Sequence, residues 1–157
     1  MFRLALPDDF EAISKLIQNE AELFLVYPSG KFPLDITQVK ELYAARKDFT
    51  VLLHNDKIIG FANLYDFLIK EYVFIGNVVI AEAHRGKGYG KTLVTHMINL
   101  ARSYKLPEVR ISVFSENVDA LLLYSDLGFE LYAMREQKNH FNEEVTLLDM
   151  KLSLKSL

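Results

Sequence analysis

Cysteine is absent from the chain. That excludes disulfides, a thiol nucleophile and Cys-ligated zinc, and it suits a reducing, cytoplasmic setting. No run of 18 apolar residues occurs, so no membrane-spanning helix is expected. A basic start leading into an apolar stretch is missing as well, so no secretory leader is expected. Charge of one sign does not accumulate. The net charge is −3, which argues against general nucleic-acid binding. His54, His84, His96 and His140 have no metal-ligand spacing, so no metal is expected. What remains is 157 residues, half hydrophobic and a quarter charged, without repeats or linkers. Such a chain is expected to form a single soluble domain over 1–157, long enough for a real core.

Glycine is also scarce, yet three of the seven fall within five residues of Arg85-Gly86-Lys87-Gly88-Tyr89-Gly90-Lys91-Thr92. The apolar run Tyr72–Ile80 before them predicts a buried strand. The amphipathic run Leu93–Tyr104 after them predicts a helix. A glycine turn between strand and helix lets backbone N–H groups converge on phosphate, and Arg85, Lys87 and Lys91 add positive charge. Gly90-Lys91-Thr92 looks like the tail of a nucleotide-triphosphate loop, but that motif needs glycine where Arg85 stands. The dinucleotide fingerprint fails on glycine spacing. The spacing that fits is R-x-x-G-x-G, as Arg85, Gly88 and Gly90.

Taken in order, Phe2–Leu6 predicts a strand. Asp8 with Glu11 reads as a capping box for a helix whose apolar face is Ile13, Leu16, Ile17 and Phe24. After a loop at Tyr27–Pro33, Asp35 with Gln38 caps a second helix, with Ile36, Val39, Leu42 and Tyr43 inward. Strands follow at Phe49–His54, Ile58–Tyr65 and Tyr72–Ile80. The helix after the glycine loop buries Leu93, Val94, Met97, Ile98, Ala101 and Tyr104. Val109, Ile111 and Val113 alternate as a strand. Asn117 caps a helix to about Leu127, Gly128 stops it, and Phe129–Glu136 with Val145–Leu152 form a hairpin. The order β-α-α-β-β-β-α-β-α-β-β predicts an α/β sheet flanked by helices.

A second pattern is Asn117-x-x-Ala120-x-x-x-Tyr124-x-x-x-Gly128-Phe129. Asn117 and Tyr124 are seven apart, on one helical face. Together with the R-x-x-G-x-G loop and the element order, it resembles the GNAT superfamily of N-acyltransferases across nearly the whole chain. The resemblance implies a mixed, mostly antiparallel central sheet. It implies acetyl-CoA as cosubstrate, with transfer of the acetyl group to a primary amine by direct attack. The implied cofactor contacts are Val79, Ile80, Arg85, Gly86, Lys87, Gly88, Tyr89, Gly90, Lys91, Asn117 and Tyr124. An N–H near Val79 or Ile80 is implied to face the thioester oxygen.

Transfer from a thioester to an amine needs a held donor, a neutral amine, a stabilised oxyanion and a proton for the leaving thiolate. A phenol of pKa about 10 can protonate a thiolate of pKa about 8.5, which makes Tyr124 the candidate acid. Candidates for handling the amine's proton are Glu71, just before the central strand, and Asn77, a polar break in it that can orient water or mark a bulge. Ser112 stands where ribosomal-protein-type relatives carry a carboxylate. Tyr27, Phe32 and Tyr65 are candidates to line an acceptor pocket. The acceptor is a small-molecule or protein amine, and the apolar final hairpin is a candidate homodimer surface. Two other readings stay open: a non-catalytic acyl-CoA sensor on the same fold, and a nucleotide-binding phosphotransferase.

Overall fold

Hydrophobic alternation and helical periodicity set out the elements of the computed structural model, which describes residues 1–155. The last two residues of the expected 1–157 domain lie outside the described residues. Strand β1 (Phe2–Leu4) leads through a tight 3₁₀ turn into α1 (Phe10–Ser14), α2 (Glu20–Val26) and α3 (Ile36–Ala45). Strands β2 (Lys47–His54), β3 (Lys57–Leu68) and β4 (Tyr72–Ile80) form an antiparallel meander. Helix α4 (Tyr89–Ser103) crosses to β5 (Glu108–Phe114), and α5 (Val118–Asp126) leads to the hairpin β6 (Glu130–Lys138) and β7 (Glu144–Ser153). One seven-stranded sheet results, ordered β1-β2-β3-β4-β5-β7-β6. Its one parallel pair is β4–β5, where α4 supplies the crossover that parallel strands require. The mixed, mostly antiparallel sheet expected from the sequence is present. Among the described residues no helix is long and apolar enough to cross a membrane.

The first half holds one helix more than expected. The anticipated capping box at Asp8 and Glu11 does not form. Asp9 instead fills the third-residue part expected of Glu11, two residues earlier, accepting the Leu6 N–H at 2.8 Å and both guanidinium nitrogens of Arg3 at 2.6 and 2.9 Å. The apolar face then breaks after Ile17, because the Asn19 side chain accepts the Glu22 N–H at 2.8 Å and starts a new helix. Ile13, Leu16, Ile17 and Phe24 are nonetheless all buried. Asp35 caps α3 as expected, through Gln38 N–H at 2.9 Å. Val39 and Leu42 point inward, but Ile36 is exposed and Tyr43 sits at the rim, its ring against Phe10 and Phe49. Tyr104 is exposed too, its hydroxyl drawn to Asp48 rather than to the core.

Packing on both faces of the sheet fixes the site. Neighbours on one strand, such as Val51 and Leu52, or Phe61 and Ala62, belong to different apolar clusters, as alternation requires. One cluster buries Leu93, Val94, Met97, Ile98 and Ala101 of α4 against Val73, Ile75, Val109 and Ile111. Each such side chain contributes about 1.5–3 kcal/mol, so α4 and the loop before it are firmly seated. The other cluster holds α1 and α3 on Val51, Phe61 and Val79.

The central strands then part. β4 pairs with β5 only from Tyr72 to Ile75, although the strands continue to Ile80 and Phe114. The cause is Asn77. It has φ of +49°, and the β3–β4 register slips between Asn63↔Gly76 and Phe61↔Val79. Asn77 therefore marks a bulge. Its Oδ1 accepts from Asn63 Nδ2 at 2.9 Å, and its own Nδ2 donates to the Val26 carbonyl at 2.7 Å. The side chain is a clamp between β3 and α2.

Two measurements test these devices. Asn77→Leu leaves Asn63 and Val26 without their partner and puts a branched residue at positive φ. It should cost about 2–4 kcal/mol in urea unfolding, and Asn77→Gly, which accepts that φ, about half as much. Equal unfolding midpoints for wild type and Asn77→Leu would remove the clamp. For Asp9, the Arg3 hydrogen bonds are the main force holding the carboxyl below its ordinary pKa. A lowered folded pKa means stability present above the ordinary carboxylate pKa of about 4 and lost as pH falls through the folded value. The stability gap between wild type and Asp9→Asn should therefore be widest near neutral pH and close in acid.

Candidate active site

The glycine loop ends β4 and opens α4. Gly86 and Gly88 have φ of +72° and +87°, a conformation that costs other residues about 1–2 kcal/mol. The first intrahelical bond runs from Thr92 N–H to Gly88 carbonyl at 3.1 Å. The N–H groups of residues 86–91 find no acceptor among the described residues. Those free donors and the positive end of the α4 dipole face the same space. A Cβ on Gly86 or Gly88 would meet nothing within 4 Å, so the loop borders an opening. Gly90 serves a different purpose. A Cβ there would stand 3.3 Å from Leu123 Cδ2, so its smallness lets α4 close on α5.

The opening is a groove of about 500 Å³ between the free edge of β4, the loop and α5. Of the residues expected at a cofactor, Val79, Ile80, Arg85, Gly86, Gly88, Gly90, Lys91, Asn117 and Tyr124 line it. Ala81 N–H bonds the Ile59 carbonyl at 2.7 Å. Strand alternation therefore turns the N–H of Ile80 away from β3, to the groove side. Three expectations need correction. Arg85 is not a free phosphate ligand: its Nε donates to the Ile80 carbonyl at 2.9 Å and its Nη2 pairs with Glu22. Lys87 is exposed and outside the groove lining. The Tyr89 side chain points the other way, its hydroxyl 3.3 Å from His54 Nδ1, leaving only its N–H to the loop.

A second cavity of about 180 Å³ opens where β4 and β5 diverge, with Asn77, Ser112, Tyr27 and Tyr65 in its walls. Phe32 is not among its lining residues. Val78, Asn117 and Tyr124 line both spaces, so the groove and the cavity meet at them. Tyr124 is 5% exposed and its ring packs near Phe129. Its hydroxyl makes no hydrogen bond to any described residue, and burial lifts the phenol well above its ordinary pKa. Asn117 is the residue ahead of α5, but its side chain makes no capping bond and is left for other partners.

Glu71 is not brought here. It lies at the β3–β4 turn beside Lys70, Tyr72 and Arg110, at the far end of β4 from Ile80. Nine residues at about 3.3 Å each put those ends roughly 30 Å apart. Sequence reasoning missed Asp149, which accepts from Ser112 Oγ at 2.6 Å and from Arg135 Nε and Nη2 at 2.8 Å each. The signal was there, as a lone acid in the apolar run Thr146–Leu152. Arg46, before β2, was missed as well. Nothing local distinguishes it, because its role depends on strands folded over it.

A model of the acetyltransferase (GNAT) family matches residues 12–129. The spermine/spermidine N(1)-acetyltransferase of Bacillus subtilis (strain 168) is 30% identical over 115 residues, 68% of each chain. An N-acetyltransferase from Staphylococcus aureus Mu50 has the same fold at a TM-score of 0.82 and 20% identity, covering 99% of this chain and 98% of that one. The phosphinothricin acetyltransferase of Sinorhizobium meliloti, solved in complex with acetyl-CoA, aligns at 0.81 and 18% identity over 98% of this chain and 88% of its own. With the loop, the splayed strands and the family match over most of its length in agreement, this chain belongs to the GNAT family of acetyltransferases.

Proposed function

We propose that the chain moves the acetyl group of acetyl-CoA directly to a small primary amine, with Tyr124 returning a proton to the departing sulfur. The observation that carries this is the meeting of groove and cavity at Val78, Asn117 and Tyr124. The residues present suit the cosubstrate. Unpaired N–H groups at 86–91 match a diphosphate, and Lys91 adds charge beside them. The free edge of β4 can take an amide-bearing arm as a short extra strand, and Ile80 N–H is placed to polarise a carbonyl. Acetyl-CoA, when bound, supplies the reactive thioester.

The chain's own groups do the rest. Leu25, Val26 and Val78 keep the junction apolar, which strengthens polar contacts within it. Burial raises the pKa of Tyr124, so the phenol carries its proton when the departing sulfur needs one. No Asp, Glu or His lines the cavity among the described residues. The acceptor ammonium therefore loses its proton to solvent before attack, and the reactive species is the neutral amine.

Three outcomes follow. Tyr124→Phe should lower kcat by about 10²–10⁴-fold, measured as free-thiol release, while the thermal shift from acetyl-CoA persists. Unchanged turnover with every accepted amine would remove Tyr124 as the acid. In the wild type, kcat/KM should climb with pH as the acceptor amine deprotonates and show no decline before pH 10. Acetyl-CoA, and not ATP, should raise Tm; at 100 times Kd the stabilisation is about 2.7 kcal/mol. Stabilisation by ATP alone would point to phosphoryl chemistry instead.

A further inference from the structure

Acetyl transfer does not account for the basic group in the smaller cavity. Arg46 reaches in from the end of α3, and its guanidinium carbon lies 3.8 Å from the centroid of the Tyr65 ring. β4 makes room for the pair with Gly76, where a Cβ would stand 2.9 Å from Arg46 Nη1 and 2.7 Å from the Tyr65 ring. Stacking on the Tyr65 ring holds the plane of the fork, and Tyr65 is its one close polar neighbour among the described residues. Nη1 is buried and has no hydrogen-bond partner, and Arg46 makes no salt bridge among the described residues. A buried, charged donor left unpaired is costly enough to call for an explanation. Two carboxylates on nearby strands are committed elsewhere. Asp149 is held by Ser112 and Arg135, and Asp48 by Tyr104. The cavity lining itself contains no acid, only neutral polar groups such as Ser29, Asn77 and Ser112.

We propose that Arg46 is the anion site of the acceptor pocket, and that the acceptor is a small amine bearing a carboxylate, an amino acid rather than a polyamine. This rests on the acetyl-transfer reading and names its substrate class. The carboxylate pairs with the Arg46 fork, a geometry that guanidinium matches with two parallel hydrogen bonds. The amino group then extends toward the Tyr124 end of the same cavity. A volume of about 180 Å³ equals roughly six water volumes of about 30 Å³, room for one amino-acid-sized group. A polyamine would set a second cation against an uncompensated guanidinium, with no carboxylate in the lining to offset it. In this respect the chain departs from the polyamine acceptor of its Bacillus relative.

The test compares amines in pairs with and without the carboxylate: lysine and cadaverine, ornithine and putrescine, phenylalanine and phenethylamine. Free-thiol release from acetyl-CoA is measured for wild type, Arg46→Gln and Arg46→Lys. At least one pair should favour the amino acid by tenfold or more in kcat/KM. That ratio should fall at least tenfold in Arg46→Gln, mainly through KM, and recover in part in Arg46→Lys. A wild-type preference for the decarboxylated member of every pair, or a ratio unmoved in Arg46→Gln, overturns the assignment. If Arg46→Gln does not fold by circular dichroism, the Arg46→Lys ratio decides. Absence of thiol release with all amines would sink the acetyl-transfer reading alone. The anion site is then judged by thermal shift: the amino acids should stabilise wild type and not Arg46→Gln, and equal shifts or none overturn it.

Discussion

The structure depends on a parallel strand pair that stops early. β4 and β5 stay together for four residue pairs and then separate, and the groove and the smaller cavity lie in or beside the gap. A sheet left open this way exposes backbone groups that ordinarily cost free energy when unpaired. Here the edge that β5 abandons borders the groove. The bulge at Asn77 sits where the separation begins, and its side chain ties β3 to the end of α2 beside the gap.

What could be read from the chain tracked how local each determinant is. The glycine loop was legible because three glycines in five residues have a local backbone cause, and two of them do adopt positive φ. Tyr124 was legible because helical spacing from Asn117 places it on a defined face. The order of elements along the chain followed from alternation and helical periodicity. The roles of charged side chains were not legible, since they are settled by partners far away in sequence. Arg85 looked like a phosphate ligand until Glu22, 63 residues earlier, claimed it. Glu71 was plausible from its place before a strand, but a strand has two ends, and Glu71 is at the wrong one. The break in the first helix depended on a single side-chain cap at Asn19, which competes with an otherwise continuous apolar face.

Electrostatically, the two halves of the site contrast. The donor groove combines free backbone N–H groups with Lys91, a setting for a spread-out, multiply charged anion. The cavity next to it is smaller, has its one cation stacked on an aromatic face, and takes its remaining polarity from amides and hydroxyls. Tyr124 sits between them without a hydrogen-bond partner, and burial secures its neutral form. Its pKa is raised by desolvation alone, without a neighbouring charge to tune it.

Helix α2 is a short lintel over that junction, pinned at two points. Glu22 is tied to Arg85 at the donor side, and the Val26 carbonyl is tied to Asn77 at the acceptor side. Leu25 and Val26 form part of the wall of both spaces. One beam thus borders both doorways, and any swing of this seven-residue helix would reshape the walls of the two spaces at once.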